Sequence, residues 1–296
     1  MNLYLIVGAS GFIGKKIYSN LKMGSEDVHG TYYPNLAKNS SDNMILLDLN
    51  KKDSFDAINK KYNYVIFSHG ISKIEHCEQE KETTYNVNVL NTINLLKHLK
   101  NLNNEIIPVY LSTNMVYGWG KRDPVESDAT FPETEYGRQK LEVEKHIFKE
   151  FDRHIILRLT RVYGVEKGDK TIFTSMMDDL LRNISVVVAD KIFISPVYVE
   201  DVVGVIKSMV KNNIFGTFNL GGDYTDSIYN FAKNMAKYFN LNSELIKIAD
   251  IRSKIFGGRK EIFNTVDNKK IKSAIGAIFI SPKEAFKMIE KNYNIA

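Results

Sequence analysis

Tyr136-Gly137-Arg138-Gln139-Lys140 sets a phenol and an ammonium four residues apart inside a helical pattern. Residues at i and i+4 share one face of a helix, so the two groups can converge on one ligand. A free phenol titrates near ~10 and is a poor acid or base at neutral pH, and a neighbouring cation favours its ionised form. The pair is therefore a candidate for moving a proton during interconversion of a carbonyl and an alcohol. Ser112-Thr113 adds a hydroxyl at the end of a preceding apolar run, where a strand would leave the sheet. Such an edge is where open α/β sheets hold their ligands.

A second group lies at the start of the chain. Gly8-Ala9-Ser10-Gly11-Phe12-Ile13-Gly14 follows the first apolar run directly and opens the first helical one. Glycines at this spacing let the chain turn sharply, let its backbone approach a pyrophosphate, and let the helix pack close to the strand. The helix N-terminus then offers N–H groups and partial positive charge to phosphates. The spacing predicts a dinucleotide site formed by Gly8, Ser10, Gly11, Phe12, Ile13 and Gly14. An acidic residue that would grip the ribose 2′-hydroxyl of NAD should end the second strand. That strand ends Gly30-Thr31-Tyr32-Tyr33, without a carboxylate. NADP is favoured for that reason, with NAD still admissible and Lys38 as a candidate phosphate partner. Asp48 could reach the adenine edge or cap a helix. A phosphate cradle, a phenol, an ammonium and a hydroxyl at one sheet edge make a hydride-transfer site.

The elements that must position these groups are legible as rhythm. Residues 3–7, 28–32, 44–47, 64–68, 106–112 and 154–159 are short apolar runs, suited to strands of a parallel sheet covered on both faces. Helical spacing occupies 12–21, 53–60, 84–100 and 136–151. This alternation predicts an α/β fold with a doubly wound parallel sheet over residues 1–165, to which a segment of about 190–222 returns. Residues 166–296 are expected to form mainly a smaller, interleaved C-terminal substrate-binding lobe. Helices are expected there at 171–182, 200–211, 227–239 and 282–291, and strands at 186–189, 217–220 and 245–248, with turns at Gly221-Gly222 and Gly257-Gly258.

The chain resembles the extended short-chain dehydrogenase/reductase family, and within it the sugar-nucleotide 4-ketoreductases of the dTDP-4-dehydrorhamnose reductase branch. The resemblance is carried by the glycine cluster, Leu47-Asp48-Leu49, the stretch from Ser112 to Gly118, Tyr136 with Lys140, and Leu157-Arg158-Leu159-Thr160-Arg161-Val162-Tyr163-Gly164. Val197-Tyr198-Val199-Glu200-Asp201-Val202 and Gly216-Thr217-Phe218-Asn219-Leu220 extend it through the second half. It implies a Rossmann fold and an NAD(P)H-dependent reductase of a nucleotide-linked 4-keto-6-deoxy sugar. Thr113 matches the family's catalytic Ser/Thr, Tyr136 its acid/base and Lys140 its ribose-binding cation. Asp48, Leu49, Ser68, His69 and Gly70 fall beside the cofactor; Thr113, Asn114, Tyr136, Arg161 and Arg259 fall toward the substrate. Asp201 corresponds to an acidic residue bordering the sugar, or is a helix N-terminal charge. Asn114-Met115 stands where related dehydratases carry an Asp–Glu pair, so dehydration lacks its acid and base. A C4 epimerase with tightly held NAD and a non-catalytic, NADP-binding regulatory subunit are the alternatives.

Composition narrows the rest. The 296 residues include 44% hydrophobic and 25% charged residues, a soluble globular balance. A formal charge of +5 is spread along the chain, so nucleic acid is not expected as a partner, and with no apolar run near the ~20 residues that cross a bilayer, no membrane is expected either. The single cysteine, Cys77, can form no internal disulfide, and with no leader-like opening a cytoplasmic location is expected. The six histidines form no metal-binding pattern, so no metal is expected. Trp119 lies in a loop that could lid the site or cover the core edge. Resemblance allows a homodimer through helices near Tyr136.

Overall fold

The computed structural model describes residues 2–33, 43–249 and 259–295, so Lys38 and Gly257-Gly258 lie outside the described residues. The early apolar runs form strands β1 (Leu3–Val7), β2 (Asp27–Tyr32), β3 (Met44–Leu46), β4 (Tyr64–Phe67), β5 (Ile107–Thr113) and β6 (Ile155–Leu159). With Gly216–Leu220 they build a seven-stranded sheet in the order Gly216–Leu220, β6, β5, β4, β1, β2, β3. Pairing is parallel from β3 through β2, β1 and β4 to β5, with Leu5 opposite His29 on one side and Val65 on the other. Every residue of β4, β5 and β6 is buried, as a sheet covered on both faces requires. This is the doubly wound Rossmann arrangement.

The helices are α1 (Phe12–Met23), α2 (Ile74–Gln79), α3 (Lys81–Tyr85), α4 (Asn91–Leu102), α5 (Glu135–Glu150), α6 (Ile172–Leu181), α7 (Val199–Lys211), α8 (Ile228–Tyr238), α9 (Lys269–Ile275) and α10 (Pro282–Tyr293). Leu95, Leu96 and Leu99 of α4 and Val143 and Ile147 of α5 share a core cluster with Leu5, Val65, Phe67 and Tyr110 of the sheet. Burying each such side chain contributes about 1.5–3 kcal/mol.

Two expected helices take other forms. Residues 53–60 make only a 3-10 turn, Lys52–Ala57. There the Ser54 hydroxyl donates to the carbonyls of Asp48 (2.6 Å) and Lys51 (2.7 Å), holding the chain in a tight turn. The expected helix 84–100 is broken by a π-helical segment, Asn86–Leu90. Asn88 is 3% exposed, and a buried amide must find partners. The π segment turns it inward, where it accepts from Ile71 N (2.8 Å) and donates to Ile71 O (2.9 Å) and Gln139 Oε1 (2.8 Å).

The chain divides into two compact units. One comprises residues 1–116, 130–158 and 207–218; the other comprises 117–129, 159–206 and 219–296. In the second unit, a three-stranded sheet joins Asp226–Ser227, Ile192–Ile194 and Ile262–Asn264, and Ile246–Ile248 pairs parallel with Val186–Val188. α6 and α10 begin with reciprocal caps, Thr171 with Thr174 and Ser281 with Glu284. Among the described residues, no helix is long and apolar enough to cross a membrane.

Candidate active site

The turn after β1 depends on two glycines. Gly8 has φ +87°, a backbone conformation that L side chains rarely adopt, and its carbonyl accepts from Gly11 N at 3.0 Å. A Cβ at Gly14 would lie 2.2 Å from Gly8 O and 2.5 Å from Ser68 Oγ, so α1 can approach the turn this closely only with hydrogen at that position. Thr31 Oγ1 accepts from Gly8 N at 2.9 Å, tying the turn to β2. The result is a strand–turn–helix with backbone N–H groups at an open helix N-terminus, the shape that accepts a pyrophosphate.

A cavity of about 490 Å³ opens against this turn within the first unit. Gly8, Ser10, Gly11, Asp48, Leu49, Ser68, His69 and Gly70 line it. Phe12, Ile13 and Gly14 are not among the lining residues and form the first turn of α1. Asp48 lines the cavity, and its Oδ1 accepts from Asn50 N at 3.0 Å; the turn that follows, with Lys51 at its N-cap, has no side-chain cap. Thr31, Tyr32, Tyr33, Asn50, Ile71, Thr83 and Val87 also line the cavity and were not anticipated. The two tyrosines were legible as the end of β2. Thr83, on α3, and Val87, in the π segment, carried no signal, because the break in the expected helix there is a tertiary effect.

Thr134 caps α5 by accepting from Gly137 N at 3.0 Å and so fixes the turn that carries Tyr136. Lys140 is 5% exposed, and its ammonium donates to Leu111 O on β5 at 2.9 Å. It also lies 4.6 Å from the Tyr110 ring centroid and 5.8 Å from that of Tyr136. Thr113 ends β5 two residues beyond Leu111, buried, with Oγ1 accepting from Met115 N at 3.3 Å. Thr113, Tyr136 and Lys140 are thus gathered about the end of one strand. Asn114 follows, buried at the start of a short 3-10 turn.

The electrostatics correct one expectation. Burial pushes the Tyr136 phenol above its ordinary value, with the Cys77 thiol adding to the rise, so the cation does not hold it down. Burial also lowers Lys140, to about 8, against opposing pulls from Glu144 and Cys77. The phenol therefore keeps its proton in this environment. His69 is pushed down to about 3 by burial and then by Lys140, so it is neutral. Its Nε2 pairs with Thr92 Oγ1 at 2.9 Å, while buried Nδ1 has no hydrogen-bond partner. Cys77 is fully buried, its thiol pushed up by burial and donating to Ile71 O at 3.3 Å.

Arg161 and Arg259 belong to the second unit. Arg161 is exposed, and its carbonyl accepts from Val197 N at 3.0 Å. The Arg259 guanidinium packs over Gly120, 3.2 Å from where a Cβ would sit. Asp201, in the first turn of α7, accepts from Ile280 N at 3.1 Å, and burial raises its carboxyl to about 6. Trp119 is buried in that unit, 2% exposed, with its carbonyl accepting from Phe263 N at 3.2 Å. No cluster of three or more His, Cys, Asp or Glu that could hold a metal ion occurs among the described residues.

Known proteins resemble this chain in sequence and fold. The model of the RmlD substrate binding domain family matches residues 1–293. The dTDP-4-dehydrorhamnose reductase of Aggregatibacter actinomycetemcomitans is 29% identical over 237 residues, covering 77% of this chain and 76% of its own. Methionine adenosyltransferase 2 subunit beta of Rattus norvegicus is 26% identical over 286 residues, covering 91% of this chain and 81% of its own. A solved dTDP-4-dehydrorhamnose reductase of Bacillus anthracis str. Ames, in complex with NADP, shares the fold with a TM-score of 0.82 at 18% identity. That comparison covers 97% of this chain and 98% of the other. The family match takes in the glycine turn, the Tyr136–Lys140 pair and the motifs of the second half, and the chain accordingly belongs to the RmlD substrate binding domain family, in the extended short-chain dehydrogenase/reductase fold.

Proposed function

We propose that the protein is an NADPH-dependent reductase of a nucleotide-linked 4-keto-6-deoxy sugar. One observation carries the reading. The Lys140 ammonium reaches Leu111 O at 2.9 Å and so draws Tyr136 and Lys140 to the end of β5, beside Thr113. The residues fit a nicotinamide dinucleotide. The cradle between Gly8 and Gly14 leaves no room for a side chain at Gly14, the cavity beside it is lined by Gly8, Ser10, Gly11, Asp48, Leu49, Ser68, His69 and Gly70 of the expected set, and His69 Nδ1 is a buried polar atom without a protein partner. The end of β2 brings hydroxyls and no carboxylate to the cavity, which spares a 2′-phosphate a charge repulsion and favours NADP over NAD.

A reduced nicotinamide dinucleotide held by Gly8, Ser10, Gly11 and the other lining residues would supply hydride to a carbonyl carbon. Tyr136 donates its phenolic proton to the carbonyl oxygen as negative charge develops. Its elevated pKa keeps that proton in place until the oxygen can take it. Thr113 donates a hydrogen bond to the same oxygen. Lys140, a buried cation beside the phenol, is placed to hold a ribose hydroxyl. Arg161 and Arg259, both in the second unit, are proposed from the sequence alone as holders of an anionic group. The name of the Aggregatibacter relative supports this reaction class.

A regulatory, NADP-binding subunit is the second reading, favoured by the rat relative, which is named as a subunit. A C4 epimerase using tightly held NAD would arrive with cofactor bound and need no added NADPH. The deciding experiment follows NADPH oxidation with a panel of nucleotide-linked 4-keto sugars, with NADH in parallel. Oxidation that disappears in Tyr136→Phe supports the reductase. No turnover, with NADPH binding shown separately and another protein copurifying, overturns it in favour of the subunit.

A further inference from the structure

Glu144 lies one turn beyond Lys140 on α5, so Tyr136, Lys140 and Glu144 follow one another along a single helix face. Its carboxylate is buried, 4% exposed, and held from two strands. From β5, the Ser112 hydroxyl donates to Oε1. From β6, Arg158 Nε donates to Oε1 at 3.2 Å and Oε2 at 3.1 Å, while Nη2 donates to Oε2 at 2.7 Å. Lys140 and Glu144 therefore grip successive residues of β5, Leu111 by its carbonyl and Ser112 by its hydroxyl, and Thr113 comes next.

A buried ion pair is a weak source of stability, because apolar side chains of similar volume would pack at no desolvation cost. Its effect here is on neighbouring charge and on register. The groups facing Lys140 are the rings of Tyr136 on α5 and Tyr110 on β5, the thiol of Cys77 on α2, the imidazole of His69 after β4, and Glu144 itself. Tyr136, Tyr110, Cys77 and His69 are all shifted toward their neutral forms by burial. Glu144 is the carboxylate that acts on Lys140, and Arg158 on β6 binds both carboxylate oxygens.

We propose that Glu144, clamped by Arg158 and Ser112, is a positioning residue of this site: its charge keeps Lys140 an ammonium, and its grip on Ser112 fixes the end of β5 that carries Thr113. The proposal rests on the reading of Tyr136 and Lys140 as the reacting pair, and its first test needs no substrate. The amine of Lys140 is titrated by NMR in protein carrying carbon-13 at the lysine ε position, its signal identified by loss in Lys140→Met. In Glu144→Gln the midpoint falls by about one pH unit, a roughly tenfold weaker hold on the proton. Should that variant not fold, Glu144→Gln with Arg158→Met leaves no unpaired charge and carries the same test. An unmoved midpoint in a folded variant overturns the charge role.

Ser112→Ala leaves the carboxylate in place. Its Lys140 midpoint stays where it is in the wild type, while kcat falls about tenfold at unchanged KM, the cost expected of a displaced group in a reacting array. An unchanged kcat overturns the register role. If the wild type turns over no keto sugar and the Glu144→Gln midpoint still falls, the reductase reading fails and the charge role of Glu144 stands. Turnover with an unmoved midpoint gives the reverse.

Discussion

Gly14→Ala tests the phosphate cradle directly. The new Cβ would lie 2.2 Å from Gly8 O, 2.9 Å from Gly8 C and 2.5 Å from Ser68 Oγ. Neither oxygen is free to retreat. Gly8 O is held by Gly11 N at 3.0 Å, and Ser68 Oγ donates to Val7 O at 2.9 Å. The start of α1 must therefore back away from the turn by roughly an ångström. Overpacking of this kind costs about 1–3 kcal/mol, and with the Gly8 backbone in the clash we expect the upper end. The same displacement takes backbone N–H groups out of reach of a phosphate. Losing one charge-assisted hydrogen bond, about 1.5–3 kcal/mol, weakens NADPH binding about ten- to a hundredfold. Urea unfolding gives the first quantity, and titration of NADPH fluorescence gives the second. Gly11→Ala is the graded comparison, since its Cβ would lie 3.3 Å from Gly8 O and asks for only a small adjustment. Gly204→Ala, at an exposed position of α7, meets nothing within 4 Å and should stabilise the protein by about 0.4–1 kcal/mol. A Gly14→Ala protein with the wild-type unfolding midpoint and NADPH affinity would refute this account of the turn.

Other consequences can be checked separately. Tyr136→Phe should lower turnover at least about a hundredfold, the lower range for loss of a general acid, while NADPH affinity holds within about twofold; equal loss of both would point to a structural role. Lys140 is lowered to about 8 in the folded chain, against about 10.4 when unfolded. The unfolded state then binds the extra proton between those values, so this group's contribution to stability rises with pH there, while turnover falls above about pH 8 as the ammonium is lost. Parallel pH series of urea midpoints and kcat/KM, each compared with Lys140→Met, read the two opposite trends. Asp201 is raised to about 6, so its ionisation costs stability as pH climbs from about 4 through 6, and Asp201→Asn should flatten that part of the stability profile. Arg158→Met alone strands the buried Glu144 charge and should cost about 3–5 kcal/mol in urea unfolding, most of which returns when Glu144→Gln is added.

The elements were legible wherever local pattern and tertiary demand coincide. β1 begins and ends at the residues its apolar run marks, and α5 runs Glu135–Glu150 where helical spacing marked 136–151. The helix expected at 84–100 failed because periodicity counts Asn88 as one polar position. The fold gives that amide three partners on other segments, and opens a π turn to reach them.

Residue type and spacing alone determined the alternating α/β order, the glycine turn and the helix face shared by Tyr136 and Lys140. These depend on backbone sterics and on a period of 3.6, both local. The protonation of that pair was decided only by tertiary structure. In sequence, a lysine four residues from a tyrosine implies a lowered phenol. In the folded chain, burial among β4, β5 and α2 raises the phenol and lowers the amine instead. Tertiary structure also brought Glu144 and Arg158 to the back of the site, where they stand 14 residues apart in sequence and 2.7 Å apart in space. Desolvation and through-space charge depend on what surrounds a group from every side, and no linear pattern records that.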